Sequence, residues 1–174
     1  MGKTTRQFSD PKIIELFVFD VDGVLTDGSI NIDDEGRETK RFHIRDGYAF
    51  KLWMAAGYKV AIITGRTGKA LLHRLATIGV PDDMIIQGSR DKSADLDLII
   101  GRTGVEEERI AYMGDDWLDI PPMRRVGLPF APADAEPEVR AVAARITTRA
   151  GGQGVAREAI ASILRAKGQY EPPQ

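Results

Sequence analysis

Leu16-Phe17-Val18-Phe19 is an apolar, aromatic and β-branched run that ends on Asp20-Val21-Asp22-Gly23. A run this short, with no polar residue to face water, reads as a strand buried on both faces. Such a strand needs a covering layer on each side, and a chain of 174 residues can supply both from one domain. Two carboxylates, one residue apart, then follow the strand's carboxyl end. Residues i and i+2 of an extended segment point the same way, so Asp20 and Asp22 are expected to face one pocket.

The pattern repeats along the chain. Residues 59–64, 84–87 and 109–113 read as further strands, with 127–131 and 145–148 as a fifth and sixth. Between them the apolar spacing predicts helices. The first starts from an N-cap at Asp46, turns Ala49, Leu52, Trp53 and Ala56 to one face and stops at Gly57. A second spans 67–78 with Leu71, Leu72, Leu75 and Ile78 inward. Others span 92–102, 136–144 and, after the flexible Gly151-Gly152-Gln153-Gly154, residues 155–167, and Pro121-Pro122 starts or kinks a short helix. Residues 29–43 read as a hairpin turning at Asp33-Asp34-Glu35-Gly36, and 168–174 as a loose tail. The expected fold class is α/β: a doubly wound, mostly parallel, Rossmann-like sheet in one domain over 1–174, with a β-hairpin insertion near 28–44 and a C-terminal helix and tail over 151–174.

In such sheets ligands sit beyond the carboxyl ends of the strands. Asp20, Asp22, Thr64, Lys92 and Asp115 all fall at or just past predicted strand ends. Two carboxylates that close repel unless a cation joins them or one takes a proton. Asp115 would complete an oxygen-rich set that suits Mg²⁺. A carboxylate nucleophile, a metal, the Thr64 hydroxyl and the Lys92 ammonium together fit phosphoryl transfer through an aspartyl-phosphate. Asp20 would attack, and Asp22 would protonate the leaving oxygen and then activate water. Lys69 competes with Lys92 for the cationic role, and Arg66 is either a reader of a substrate carboxylate or merely exposed. Gly65-Arg66-Thr67-Gly68-Lys69 is too short between its glycines for a Walker A loop.

Composition narrows the partners. A net charge of −2 offers no basic field for nucleic acid or an anionic membrane. The absence of cysteine excludes disulfides and thiol chemistry, and two histidines are too few for a histidine-built zinc site. No apolar run approaches a bilayer-spanning length, and the polar residues 1–10 carry no targeting pattern, so a cytoplasmic protein is expected.

Asp20-Val21-Asp22-Gly23-Val24-Leu25-Thr26-Asp27, Thr64-Gly65-Arg66, Lys92 and Gly114-Asp115-Asp116-Trp117-Leu118-Asp119 resemble, in order, the four motifs of the haloacid dehalogenase superfamily of phosphohydrolases. The resemblance implies Asp20 as nucleophile, Asp22 as acid and base, and Mg²⁺ held by Asp20, the Asp22 carbonyl and Asp115. Asp116 is expected to cap or support, and Asp119 to orient a neighbour.

Neither the gap between the first motif and Asp46 nor that between Thr64 and Lys92 has room for a cap domain. Arg45-Asp46-Gly47 and Ala150-Gly151-Gly152-Gln153-Gly154 before Arg157-Glu158 are similar to the capless 3-deoxy-D-manno-octulosonate 8-phosphate (KDO 8-phosphate) phosphatases, which take part in lipopolysaccharide precursor synthesis. That likeness implies a phosphorylated acidic sugar as substrate, with Gly65, Arg66 and Arg45 as substrate-binding residues beside Lys40 and Arg41. It also implies a homotetramer built through the hairpins, its sites completed by a neighbouring subunit and its tail. Three other readings stand beside it. One is a phosphatase of nine-carbon keto-acid sugar 9-phosphates, another a phosphate-accepting receiver domain, which Asp22 argues against. The third is a non-catalytic assembly domain, which the intact acidic set argues against.

Overall fold

The computed structural model of the chain describes residues 7–170. Its elements run β1 (Leu16–Phe19), β2 (Asn31–Ile32), β3 (Glu38–Thr39), α1 (Ile44–Ala55), β4 (Lys59–Thr64), α2 (Lys69–Ile78), β5 (Ile85–Gln87), α3 (Lys92–Thr103), β6 (Ile110–Met113), α4 (Ile120–Met123), β7 (Leu128–Ala131), α5 (Pro137–Val142), β8 (Arg145–Ile146) and α6 (Val155–Ala166). Six strands form one parallel sheet in the order β5-β4-β1-β6-β7-β8, while β2 and β3 pair antiparallel on their own. This is the doubly wound α/β architecture that the alternation of strands and helices implies.

β1 lies at the centre with all its residues buried, as its unbroken apolar run requires. Phe19 pairs in register with Ile62 of β4 on one side and Met113 of β6 on the other. From β1 the sheet grows through β4 to β5, then restarts on the opposite side with β6. The winding direction reverses between β1 and β6, and the crevice of a parallel sheet opens beyond the strands at such a reversal. Asp20 leaves β1 there, and Asp115 leaves β6 there.

The face of β1 carrying Phe17 and Phe19 packs on α1. The two rings stack with centroids 4.0 Å apart, Phe50 lies 4.9 Å from Phe19, and Trp53 meets Phe17 edge-on at 6.4 Å. The Trp53 indole N–H donates to the Lys59 carbonyl at 2.8 Å, so this large buried ring leaves no polar atom unpaired.

The structure corrects several local expectations. α1 starts at Ile44, and its N-cap is His43, whose Nδ1 accepts from the Arg45 N–H at 3.2 Å. Asp46 sits inside the helix, buried, where its carboxylate accepts the Arg157 N–H at 2.8 Å. It thereby caps α6, whose own cap position, Gly154, has no side chain to offer. Burial raises the Asp46 pKa to about 6, against the lowering effect of that hydrogen bond. α1 buries Ala49, Phe50 and Trp53, while Leu52 is half-buried and Ala56 exposed. On α2 only Leu71, Leu75 and Ile78 turn inward, and Leu72 faces solvent. That helix begins at Lys69, because the backbone at Gly68 is extended, with its N–H donating to the Gln87 side chain at 2.8 Å. Tight 3₁₀ turns at Asp82–Met84 and Glu107–Arg109 shorten the starts of β5 and β6.

The hairpin is small and exposed on both strands. Its turn is held by Asp33, whose carboxylate accepts the N–H groups of Glu35 and Arg37 at 3.0 and 2.9 Å. The tail beyond Tyr170 lies outside the described residues. Among the described residues no helix is long and apolar enough to cross a membrane.

Candidate active site

The carboxyl ends of β1, β4 and β6 and the start of α3 converge at the reversal point. Asp20 is buried and lies 3.0 Å from the Lys92 ammonium. Lys92, the first residue of α3, is aimed by the helix start that Asp91 caps through the Ser93 and Ala94 N–H groups. Lys69 is exposed on α2, which leaves Lys92 as the cation at the cluster.

Asp119 organises this arrangement from beneath. It is fully buried, and one oxygen accepts from Lys92 Nζ at 2.7 Å and from the Tyr112 hydroxyl at 2.8 Å. The other accepts the Asp115 and Asp116 N–H groups, both at 3.3 Å. Both oxygens are therefore spent on fixing the lysine and the loop after β6. Asp116 caps the short turn at Trp117–Asp119, accepting the Trp117 N–H at 2.6 Å.

Asp115 and Asp22 differ. Asp115 Oδ1 and Asp22 Oδ2 are buried with no hydrogen-bond partner. An orphaned buried carboxylate oxygen is expensive, and a cation is the usual remedy. Asp20, Asp115 and Asp119 each bring an oxygen within 4.8 Å of the others. Gly23 leaves space for the group: its φ is +85°, and a Cβ there would lie 1.9 Å from Asp115 Oδ2. All the donors are hard oxygens, which suits Mg²⁺. Asp20 and Asp115 have oxygens to give, and Asp119 has none. Replacing Gly23 with alanine is expected to push Asp115 aside and weaken Mg²⁺ binding at least tenfold by calorimetric titration; unchanged affinity would contradict this packing.

The electrostatics agree. Burial, helped by the neighbouring carboxylates, raises the Asp20 pKa to about 7 and that of Asp115 to about 8, with Lys92 opposing. Burial alone would lower the Lys92 pKa, but Asp20 and Asp119 outweigh it and raise the value, so the lysine is an ammonium. Both acids ionise near 3.8 in an unfolded chain but hold protons to about 7 and about 8 when folded. Without metal their contribution to stability is therefore present below 3.8 and is lost as pH rises through those higher values. A divalent cation offsets the loss. Added Mg²⁺ is expected to raise the melting temperature more at pH 8 than at pH 6, and equal shifts in scanning calorimetry would contradict it.

Asp22 faces the hairpin. Lys40, largely buried just after β3, forms an ion pair with one Asp22 oxygen, and Arg66 Nε lies 4.0 Å from the other. Glu38 joins both cations, pairing with Arg66 and sitting 3.5 Å from Lys40. Thr64 ends β4 in a buried position, with Gly65 and Arg66 exposed after it. Arg45 stands apart. It lines a different cavity, with Arg149, Arg157 and Arg165, that none of the other predicted site residues borders. Two participants were not visible as such in the sequence: Tyr112, which reads as ordinary strand core, and the Lys40 clamp on Asp22.

Residues 83–158 match the profile of the haloacid dehalogenase-like hydrolases. The chain is 38% identical over 168 residues to the 3-deoxy-D-manno-octulosonate 8-phosphate phosphatase KdsC of Salmonella typhi, covering 97% of this chain and 88% of the relative. The chain belongs to this phosphatase family. The Escherichia coli member is 39% identical over 158 residues, 91% of this chain and 83% of its own. Among solved structures, the Yersinia pestis phosphatase superposes with a TM-score of 0.89 at 38% identity, covering 92% of this chain and 85% of that one. The Moraxella catarrhalis phosphatase, solved with a magnesium ion, a phosphate ion and a KDO molecule, gives 0.88 at 38% identity over 91% of this chain and 90% of that one. The haloacid dehalogenase-like fold and phosphatase class are thus those of this chain.

Proposed function

We propose that this phosphatase releases inorganic phosphate from KDO 8-phosphate through an aspartyl-phosphate on Asp20, with Mg²⁺ as cofactor. The observation that supports it most is the family likeness over 97% of the chain, joined to a site whose acids need a cation. When bound by Asp20, the Asp22 carbonyl and Asp115, Mg²⁺ supplies positive charge that offsets repulsion between a carboxylate nucleophile and a phosphate dianion.

The chain's own residues do the rest. Lys92, anchored on Asp119, holds the Asp20 carboxylate in place and presents its positive charge to the phosphate. An Asp20 oxygen attacks phosphorus, and the bond from phosphorus to the sugar oxygen breaks. Asp22 delivers a proton to that departing oxygen. Asp22 then takes a proton from the water that attacks phosphorus, phosphate leaves, and the Asp20 carboxylate returns. Thr64 stands at the end of β4 to bind a phosphate oxygen, and Gly65 and Arg66 line the path to the sugar.

Steady-state phosphate release from a panel of sugar phosphates tests the substrate. The eight-carbon 8-phosphate is expected to exceed a nine-carbon keto-acid 9-phosphate at least tenfold in kcat/KM, and the reverse order would overturn the assignment. The hairpin, with Ile30 and Ile32 59% and 65% exposed, supports a homotetramer in which hairpins pack together. A neighbour would then complete the site. Light scattering is expected to give four chains per particle; a monomer would contradict it. A composition free of cysteine suits the cytoplasm.

A further inference from the structure

Four arginines gather around a cavity that Asp20, Asp22, Asp115 and Asp119 do not border. This cavity of about 520 Å³ is lined by Arg45, Arg149, Arg157 and Arg165, with Thr148 and Tyr170 at its wall and Glu158 as the one acid among the described residues that line it. Glu158 is already engaged. Its oxygens accept from the Thr148 N–H at 2.7 Å, the Thr148 hydroxyl at 3.0 Å and the Arg149 N–H at 3.3 Å, with Arg149 Nε 3.9 Å away.

Four guanidiniums carry many donors, and among the described residues few groups answer them. Arg149 gives one hydrogen bond to the Gln153 carbonyl at 3.2 Å. Arg157 gives one to the Tyr170 hydroxyl at 2.9 Å. Arg165 lies over the Tyr170 ring, 4.4 Å from its centroid. In a chain with net charge −2, gathering four like charges around one hollow is a local cost that a bound anion would remove.

Tyr170 marks where such an anion would sit. Its hydroxyl oxygen accepts from Arg157, and the Arg157 and Arg165 guanidiniums lie 5.7 and 4.4 Å from its ring centroid. The hydrogen bond from Arg157 pulls the tyrosine pKa below its ordinary value. A phenol oxygen held in this way occupies the place of an oxyanion. The volume accommodates a small ligand, since such pockets run to about 300–1,000 Å³. Guanidinium forks match phosphate oxygens two at a time.

We propose that this cavity is a second, non-catalytic site for a small polyanion carrying phosphate groups, with the Tyr170 hydroxyl filling one oxyanion position when the site is empty. The proposal is independent of which sugar the catalytic site hydrolyses. Isothermal titration of EDTA-treated protein with inorganic pyrophosphate at low ionic strength tests it. Without metal the acidic cluster repels the probe, whereas the arginine cavity attracts it. One pyrophosphate is expected per chain. Arg149→Gln and Arg165→Gln are each expected to weaken binding at least tenfold while leaving Mg²⁺-dependent turnover of p-nitrophenyl phosphate unchanged, which also shows that they fold. Lys92→Met is expected to bind as wild type does. No heat of binding in the wild type, or binding that Lys92→Met removes and Arg165→Gln keeps, would overturn the proposal.

Discussion

Asp20→Asn is expected to lower kcat for phosphate release by about 10⁴-fold or more, the scale on which enzymes lose rate when a covalent nucleophile is removed. KM should change only a few-fold, because the amide keeps the shape and polarity of the position. The same substitution should not harm the fold. Burial and the Asp119 charge already disfavour the ionised form of Asp20. A neutral asparagine removes that burden, so metal-free Asp20→Asn protein should melt no lower than wild type at pH 8. A variant that is dead but stable separates chemistry from folding. Turnover within tenfold of wild type would remove Asp20 from the reaction.

Asp119→Ala is expected to damage both stability and activity. Asp119 touches no solvent, yet four donors end on it: Lys92, Tyr112 and the N–H groups of Asp115 and Asp116. Its removal strands a buried tyrosine hydroxyl and leaves the Lys92 ammonium with Asp20 alone. Breaking a buried ion pair from one side costs about 3–5 kcal/mol. At about 2–4 °C per kcal/mol for a chain of this size, the melting temperature should fall by about 6–20 °C. Gly114 wraps tightly round the same side chain, for a Cβ there would lie 2.2 Å from Asp119 Cβ, so the loop carrying Asp115 should loosen as well. Lys92 and Asp115 then lose their common anchor, and kcat should drop even under conditions where the variant is folded. Asp119→Asn keeps the volume and should melt between the two. An unchanged melting temperature in Asp119→Ala would contradict this role.

The sequence displays the centre of the fold more clearly than its periphery. β1 and β4 are readable to the residue, because burial on both faces leaves an unbroken apolar run that polar residues terminate. β8, two residues long and exposed, has no such pattern. On α1 apolar spacing alone turns Leu52 inward, whereas Phe50 meets the rings of β1. Asp46 looks like a helix start from its neighbours alone, yet its partner is 111 positions away in α6. Spacing within a helix carries no information about a cap lent across the fold.

The candidate site divides in the same way. Asp20, Thr64, Lys92 and Asp115 lie at element ends, and element ends are what local sequence punctuation marks. Their partnerships are not local. Lys40 reaches Asp22 across 18 positions because the hairpin folds back over the strand ends, and a two-stranded hairpin has no pattern that states its direction. Tyr112 is hidden for another reason: nothing distinguishes a core tyrosine whose hydroxyl fixes an aspartate from one that only fills space. Arg45 shows the converse, a residue with a strong motif around it that the fold places among other arginines, in a cavity that Asp20, Asp22, Asp115 and Asp119 do not border.

Trapping the covalent intermediate tests the central claim most directly. Enzyme with Mg²⁺ is mixed with ³²P-labelled KDO 8-phosphate, quenched in acid within one turnover and digested. The account predicts label on the peptide containing Asp20, removed by hydroxylamine as an acyl phosphate should be, and absent in Asp20→Asn. Full turnover with no labelled peptide, or label on a peptide that lacks Asp20, would contradict it.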